Sequence, residues 1–73
     1  MENKEFVELW NRITTPRKIV ILNKKTIYAD GYHIENRWYV SFFGGKSFID
    51  AVKINEIKSI KPLTDYEEKY SVF

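Results

Sequence analysis

The sequence predicts an α+β fold that is mostly β: one short N-terminal helix followed by a curled, five-stranded antiparallel barrel. Three observations predict it. Apolar residues recur at helical spacing only between residues 3 and 14. From Arg17 to Pro62 the pattern turns to short β-branched and aromatic runs separated by polar or Gly-containing breaks. With 73 residues, the chain has room for one domain and a thin core. The whole chain, 1–73, is therefore read as a single domain, with the helix at 3–14, the barrel at 17–62 and an acidic tail at 64–73.

The helix is expected from its apolar stripe, Phe6, Leu9, Trp10 and Ile13. Asn3 is placed to cap the first turn, and Glu5 and Glu8 favour its positive end. Thr14-Thr15-Pro16 stops it, because proline lacks the amide donor and disfavours helix at the residue before it.

Lys18–Leu22 is apolar on both faces, as a central strand should be, and Asn23-Lys24-Lys25 is a polar turn. Thr26–Ile34 is the second strand, interrupted at Gly31, where a bulge or bend would help a barrel close. Glu35-Asn36 turns the chain into a third strand, Arg37–Phe43. Alternation there puts Trp38, Val40 and Phe42 on one face and Tyr39, Ser41 and Phe43 on the other. Gly44-Gly45 marks a hairpin into the fourth strand, Ser47–Ile54. Ile54, Ile57 and Ile60 fall three apart, which fits a 3₁₀ turn leading into a short last strand ended by Pro62. Trp10, Trp38, Phe42 and Phe48 are expected to supply much of the core.

Composition narrows the function classes. The hydrophobic fraction of 44% and only 3 Gly and 2 Pro exclude a disordered profile. The chain has no Cys, so neither a disulfide framework nor a cysteine metal site is available, which favours the cytoplasm. The charged N-terminus does not read as a signal peptide, and no apolar run approaches the ~20 residues of a membrane span.

Catalysis has little to work with. His33 is the single histidine, and a pair with Glu35, two residues on, lacks a nucleophile. Asp30, Glu35 and Asp50 have no metal-ligand spacing, and no cofactor motif is present. Gly44-Gly45-Lys46-Ser47 lacks the earlier glycine of a phosphate-binding loop and reads as a hairpin.

The strand order is similar to that of SH3-like and Sm-like barrels. Ile19-Val20-Ile21-Leu22-Asn23 and the segment from Val52 to Ile60 make the chain resemble the bacterial Sm-like family, the Hfq RNA chaperones. Lys53-Ile54-Asn55-Glu56 stands where that family carries its Tyr-Lys-His sequence. Arg37-Trp38-Tyr39-Val40, Phe48 and Ile54–Ile57 are also similar to the WYL domain of bacterial regulators, with Glu56 at the place of an expected Arg. The first resemblance implies an RNA-binding ring of subunits. The second implies a module that binds a ligand or nucleic acid.

Two readings of the residues agree with a non-catalytic role. The net charge is only +2, but the stretch Arg12–Lys25 is basic and contains no acid. Five Phe, five Tyr and two Trp are many for a thin core. The leading expectation is RNA or single-stranded nucleic-acid binding: Arg17, Lys18, Lys24 and Lys25 would face phosphates, and Tyr28, Tyr32, Tyr39 and Phe43 would stack on bases. The alternative is a protein-interaction module or inhibitor, such as one encoded by a phage or mobile element, using an aromatic face or an exposed strand edge. Either could act as a homo-oligomer, and neither calls for a membrane.

Overall fold

The computed structural model describes residues 1–64, so the expected acidic tail lies outside the described residues apart from Thr64. Among the described residues one helix, α1 (Asn3–Arg12), precedes six strands. These are β1 (Lys18–Leu22), β2 (Thr26–Ala29), β3 (Gly31–Ile34), β4 (Tyr39–Gly44), β5 (Ser47–Lys53) and β6 (Ile57–Pro62). A 3₁₀ turn, Ile54–Glu56, joins β5 to β6 where the isoleucine spacing placed it.

The strands form two three-stranded antiparallel sheets, ordered β2-β1-β6 and β3-β4-β5. Among the described residues the expected five-stranded barrel is thus corrected to six strands in two sheets, with no closed barrel. The cause is local: the long strand expected over 26–34 divides at Asp30. Its first half pairs with β1, and its second half pairs with β4. The Asp30 amide already donates to the Phe43 carbonyl at 3.0 Å, so the chain changes sheets within one residue.

Asp30 also anchors the β4–β5 hairpin. Both its carboxylate oxygens accept from the Gly45 amide, at 2.8 and 2.9 Å. Gly45 has φ +64°, a left-handed conformation that glycine adopts without steric cost. Gly31, by contrast, has an ordinary backbone, and an added Cβ would meet Phe43 Cβ at a normal 3.9 Å. The bend is therefore held by Asp30 rather than by special freedom at Gly31.

α1 is two residues shorter than its sequence pattern. Ile13 is already extended, and its amide bonds the Trp10 carbonyl at 3.2 Å. The Thr15 carbonyl accepts from Lys18 Nζ at 2.7 Å, and Thr15 Oγ1 donates to the Arg17 carbonyl at 2.9 Å. These local bonds compete with a further helical turn. The N-cap is Glu2 rather than Asn3, and it makes no side-chain cap bond.

A single core is shared by the helix and both sheets. Phe6 and Trp10 face Val20, Leu22, Ile27 and Ala29 from one sheet and Val40, Phe42 and Val52 from the other, with Ile54 and Ile57 closing the end. Phe6 is the hub of its aromatic part, with ring centroids 5.0 Å from Tyr32 and 5.8 Å from Trp10 and Phe42.

Two expected core residues are outside. Trp38 is 62% exposed, because β4 begins at Tyr39 and Trp38 belongs to the preceding turn. Phe48 is 59% exposed, because the β4–β5 register shifts: Phe42 opposes Asp50 while Phe43 opposes Phe48. Ile49 is the extra residue, and this bulge breaks the alternation that would have turned Phe48 inward.

Candidate binding groove

The eight residues expected to form one basic, aromatic face are spread over the molecule. Lys18 is buried at the rim of the core. Its ammonium lies 4.8 Å from the Trp10 ring centroid, over the ring, and donates to Thr15 O. Burial pushes its pKa below the ordinary lysine value, and the charge of Asp30 opposes that shift. Tyr32 is half-buried against Phe6 and Trp10, both at 5.0 Å. Neither residue lies on an open binding face.

Arg17, Lys24 and Lys25 are exposed, but acids from β5 and the 3₁₀ turn lie beside the two lysines. Lys25 pairs with Asp50 across the β1–β2 turn and β5. The hydrogen bond from Lys25 is the main reason that the Asp50 carboxyl is held below its usual range. Glu56 lines the same recess, of about 410 Å³, as Lys24 and Lys25.

The remaining aromatics divide between the sheets. Tyr28 is on β2, opposite Ile19, whereas Tyr39 and Phe43 lie on β4. Phe43 packs edge-on against Phe48 at 5.9 Å.

A different set of residues converges on a groove of about 720 Å³. Three chain segments build it. The start of the chain and of α1 supplies Met1, Glu2, Asn3 and Lys4; the β3–β4 turn supplies Arg37, Trp38 and Tyr39; and the end of β5 with the 3₁₀ turn supplies Lys53, Ile54 and Asn55. Its volume falls within the ~300–1,000 Å³ of ordinary ligand clefts.

The turn that presents Trp38 is rigidly specified. Asn36 Oδ1 accepts from the amides of Trp38 (2.8 Å) and Tyr39 (3.0 Å), a local side-chain turn. The Trp38 carbonyl accepts from Ile54 N at 2.7 Å, tying the turn to the 3₁₀ segment. Asn3 Nδ2 reaches the Asn36 carbonyl at 3.5 Å and connects the helix start to the same turn.

The groove combines a stacking surface with positive charge. The Arg37 guanidinium lies 5.6 Å from the Trp38 ring centroid. Among the side chains of the described residues, Lys4 and Lys53 add two further cations, against one acid, Glu2. Of the expected site residues, only Tyr39 lines this groove.

Sequence reasoning missed Arg37, Trp38, Lys4 and Lys53 because they are far apart in the chain. The available signal was Asn36, whose turn propensity argued against starting a strand at Arg37. Among the described residues no group of three His, Asp or Glu could hold a metal ion, and no helix is long and apolar enough to cross a membrane. Comparison with protein-family models, curated proteins and solved structures finds no match for this chain.

Proposed function

We propose that this protein is a non-catalytic cytoplasmic module that binds RNA or another single-stranded nucleic acid in the Trp38 groove. The observation that carries this reading is a 62% exposed tryptophan held on a fixed turn, with Arg37, Lys4 and Lys53 around it. Exposing an indole to water has a free-energy cost that a flat, apolar ligand would recover. A nucleobase supplies the flat surface, and its phosphates match the cations. This site replaces the face built on Arg17, Lys18, Lys24 and Lys25, where Lys18 is buried and Lys25 is paired.

The test is fluorescence anisotropy with a labelled short RNA. Stacking is worth ~1–3 kcal/mol per base, so Trp38→Ala should weaken binding by about 5- to 150-fold. Phosphate contacts by three cations give a log–log salt slope of about −2. Wild-type affinity in Trp38→Ala, or affinity that ignores salt, overturns the reading.

A protein-binding role is the second reading, favoured by Phe48 and Ile49. They are 59% and 40% exposed on β5, an edge strand of its sheet among the described residues. On this reading the partner is a protein strand, such as one from a second copy of the chain, and the affinity would change little with salt and fall in Phe48→Ser rather than Trp38→Ala.

A further inference from the structure

We infer that residues 65–73 pack as a short amphipathic helix on the outer face of the β2-β1-β6 sheet of their own chain. The contact is separate from the Trp38 groove and does not depend on it.

Three observations carry it. First, this face is apolar where a face left in water should be polar. The helix α1 and the other sheet cover the inner face, over Val20, Leu22, Ile27 and Ala29. The register puts Tyr28, Ile19 and Lys61 in one row of the outer face, and Thr26, Ile21 and Ser59 in the next. Ile19 and Ile21 are half-buried, yet neither belongs to the core nor packs against it, and Tyr28 is 40% exposed. An antiparallel sheet with one solvated face alternates apolar and polar residues. β1 instead carries isoleucine at both of its outward positions.

Second, the chain leaves β6 at a corner of this face. Pro62 opposes Lys18, and the Leu63 amide donates to the Arg17 carbonyl at 3.1 Å, beside the row of Ile19 and Lys61. The nine residues 65–73 lie outside the described ones. As a helix they would span about 14 Å, against about 17 Å for the five residues of β1. Tethering also places the segment beside the face at an effective concentration on the order of mM, which favours it over the same segment of a second copy.

Third, the segment complements the face in pattern and charge. Thr64-Asp65-Tyr66-Glu67 has the spacing of a capping box, and Tyr66, Tyr70 and Phe73 recur at i, i+4 and i+7, one side of a helix. A helix this short is marginal in water and needs a surface to pack on. The three strands of the sheet carry exposed Lys58 and Lys61 and no acid. The segment brings Asp65, Glu67 and Glu68 against Lys69. In this arrangement Tyr28 serves the helix rather than a stacked base.

The experiment uses the full chain with methyl-labelled isoleucine. Nuclear Overhauser contacts are expected between the δ1 methyls of Ile19 and Ile21 and the ring protons of Tyr66, Tyr70 or Phe73. In urea titration, Tyr70→Ser and Ile21→Thr should each lower the midpoint. The double variant should lower it by less than the sum, because both substitutions remove one contact. Threonine keeps a β-branched residue in the strand, and position 21 is outside the core, so these variants still fold. Absence of the contacts, or midpoints that simply add, overturns the inference. Contacts seen only between differently labelled copies place the segment on a second molecule and overturn it as well.

Discussion

Phe6→Ala tests whether the helix is part of the core and whether the groove depends on it. Phe6 is fully buried and touches the rings of Trp10, Tyr32 and Phe42. A buried Phe removes ~150–250 Å² from water, about 4–6 kcal/mol at ~25 cal/mol per Å². Alanine recovers part of that, so the expected loss is about 3–5 kcal/mol. At ~0.05–0.15 kcal/mol per residue, a chain of 73 residues has about 4–11 kcal/mol in total. The variant should therefore be near the edge of folding. Because α1 also delivers Met1 to Lys4 to the groove, RNA affinity should fall together with stability. Urea titration followed by far-ultraviolet circular dichroism measures the first effect, and anisotropy measures the second. Phe6→Leu keeps most of the volume and should cost less than half as much. A loss below about 1 kcal/mol for Phe6→Ala would refute the argument, since it would mean the helix is not docked as described.

Other substitutions separate the devices that shape the fold. Gly45→Ala should cost about 1–2 kcal/mol in urea titration, because alanine resists the left-handed φ of +64°. Gly31→Ala should be within about 0.5 kcal/mol of wild type, since its Cβ meets only an ordinary contact. Lys25→Glu should destabilise slightly by facing Asp50, and Asp50→Lys added to it should restore stability; the exposed pair is worth at most about 1 kcal/mol. The Lys18 pKa is lowered in the folded state, so over the range between its folded value and the ordinary 10.5 the unfolded chain binds more protons. Stability relative to Lys18→Met should then rise with pH across that range in parallel urea titrations; a fall would contradict the burial described for the ammonium.

Local pattern made much of the architecture legible. The helix stripe, the Lys18–Leu22 strand, the glycine hairpin and the isoleucine-spaced 3₁₀ turn all depend on neighbours within a few residues. The failures came where a distant partner decides. Asp30 divides a strand because its carboxylate finds Gly45, fifteen residues away. Phe48 faces out because a bulge at Ile49 alters the register with β4. Trp38 read as core because alternation was started two residues too early, ahead of the turn that Asn36 builds. The site was hidden for the same reason: its cations come from residues 4, 37 and 53.

The error at Trp38 and the position of the groove have one physical origin. An aromatic residue on a strand can be turned inward by the pleat, whereas one on a turn is aimed by whatever fixes that turn. Here Asn36 Oδ1 and the Ile54 amide fix it, and neither bond requires tryptophan at position 38. Folding therefore gives no reason for a large apolar ring there: Trp38→Ser should leave the turn and its hydrogen bonds in place, with a stability change within about 0.5 kcal/mol. On the proposed reading, the ring's value lies in what it contacts outside the chain, beyond its contact with Arg37. A urea midpoint unchanged in Trp38→Ser, together with lost RNA affinity, would separate a binding residue from a structural one. A large drop in the midpoint would instead place Trp38 in the fold's own packing and remove the central support for the groove.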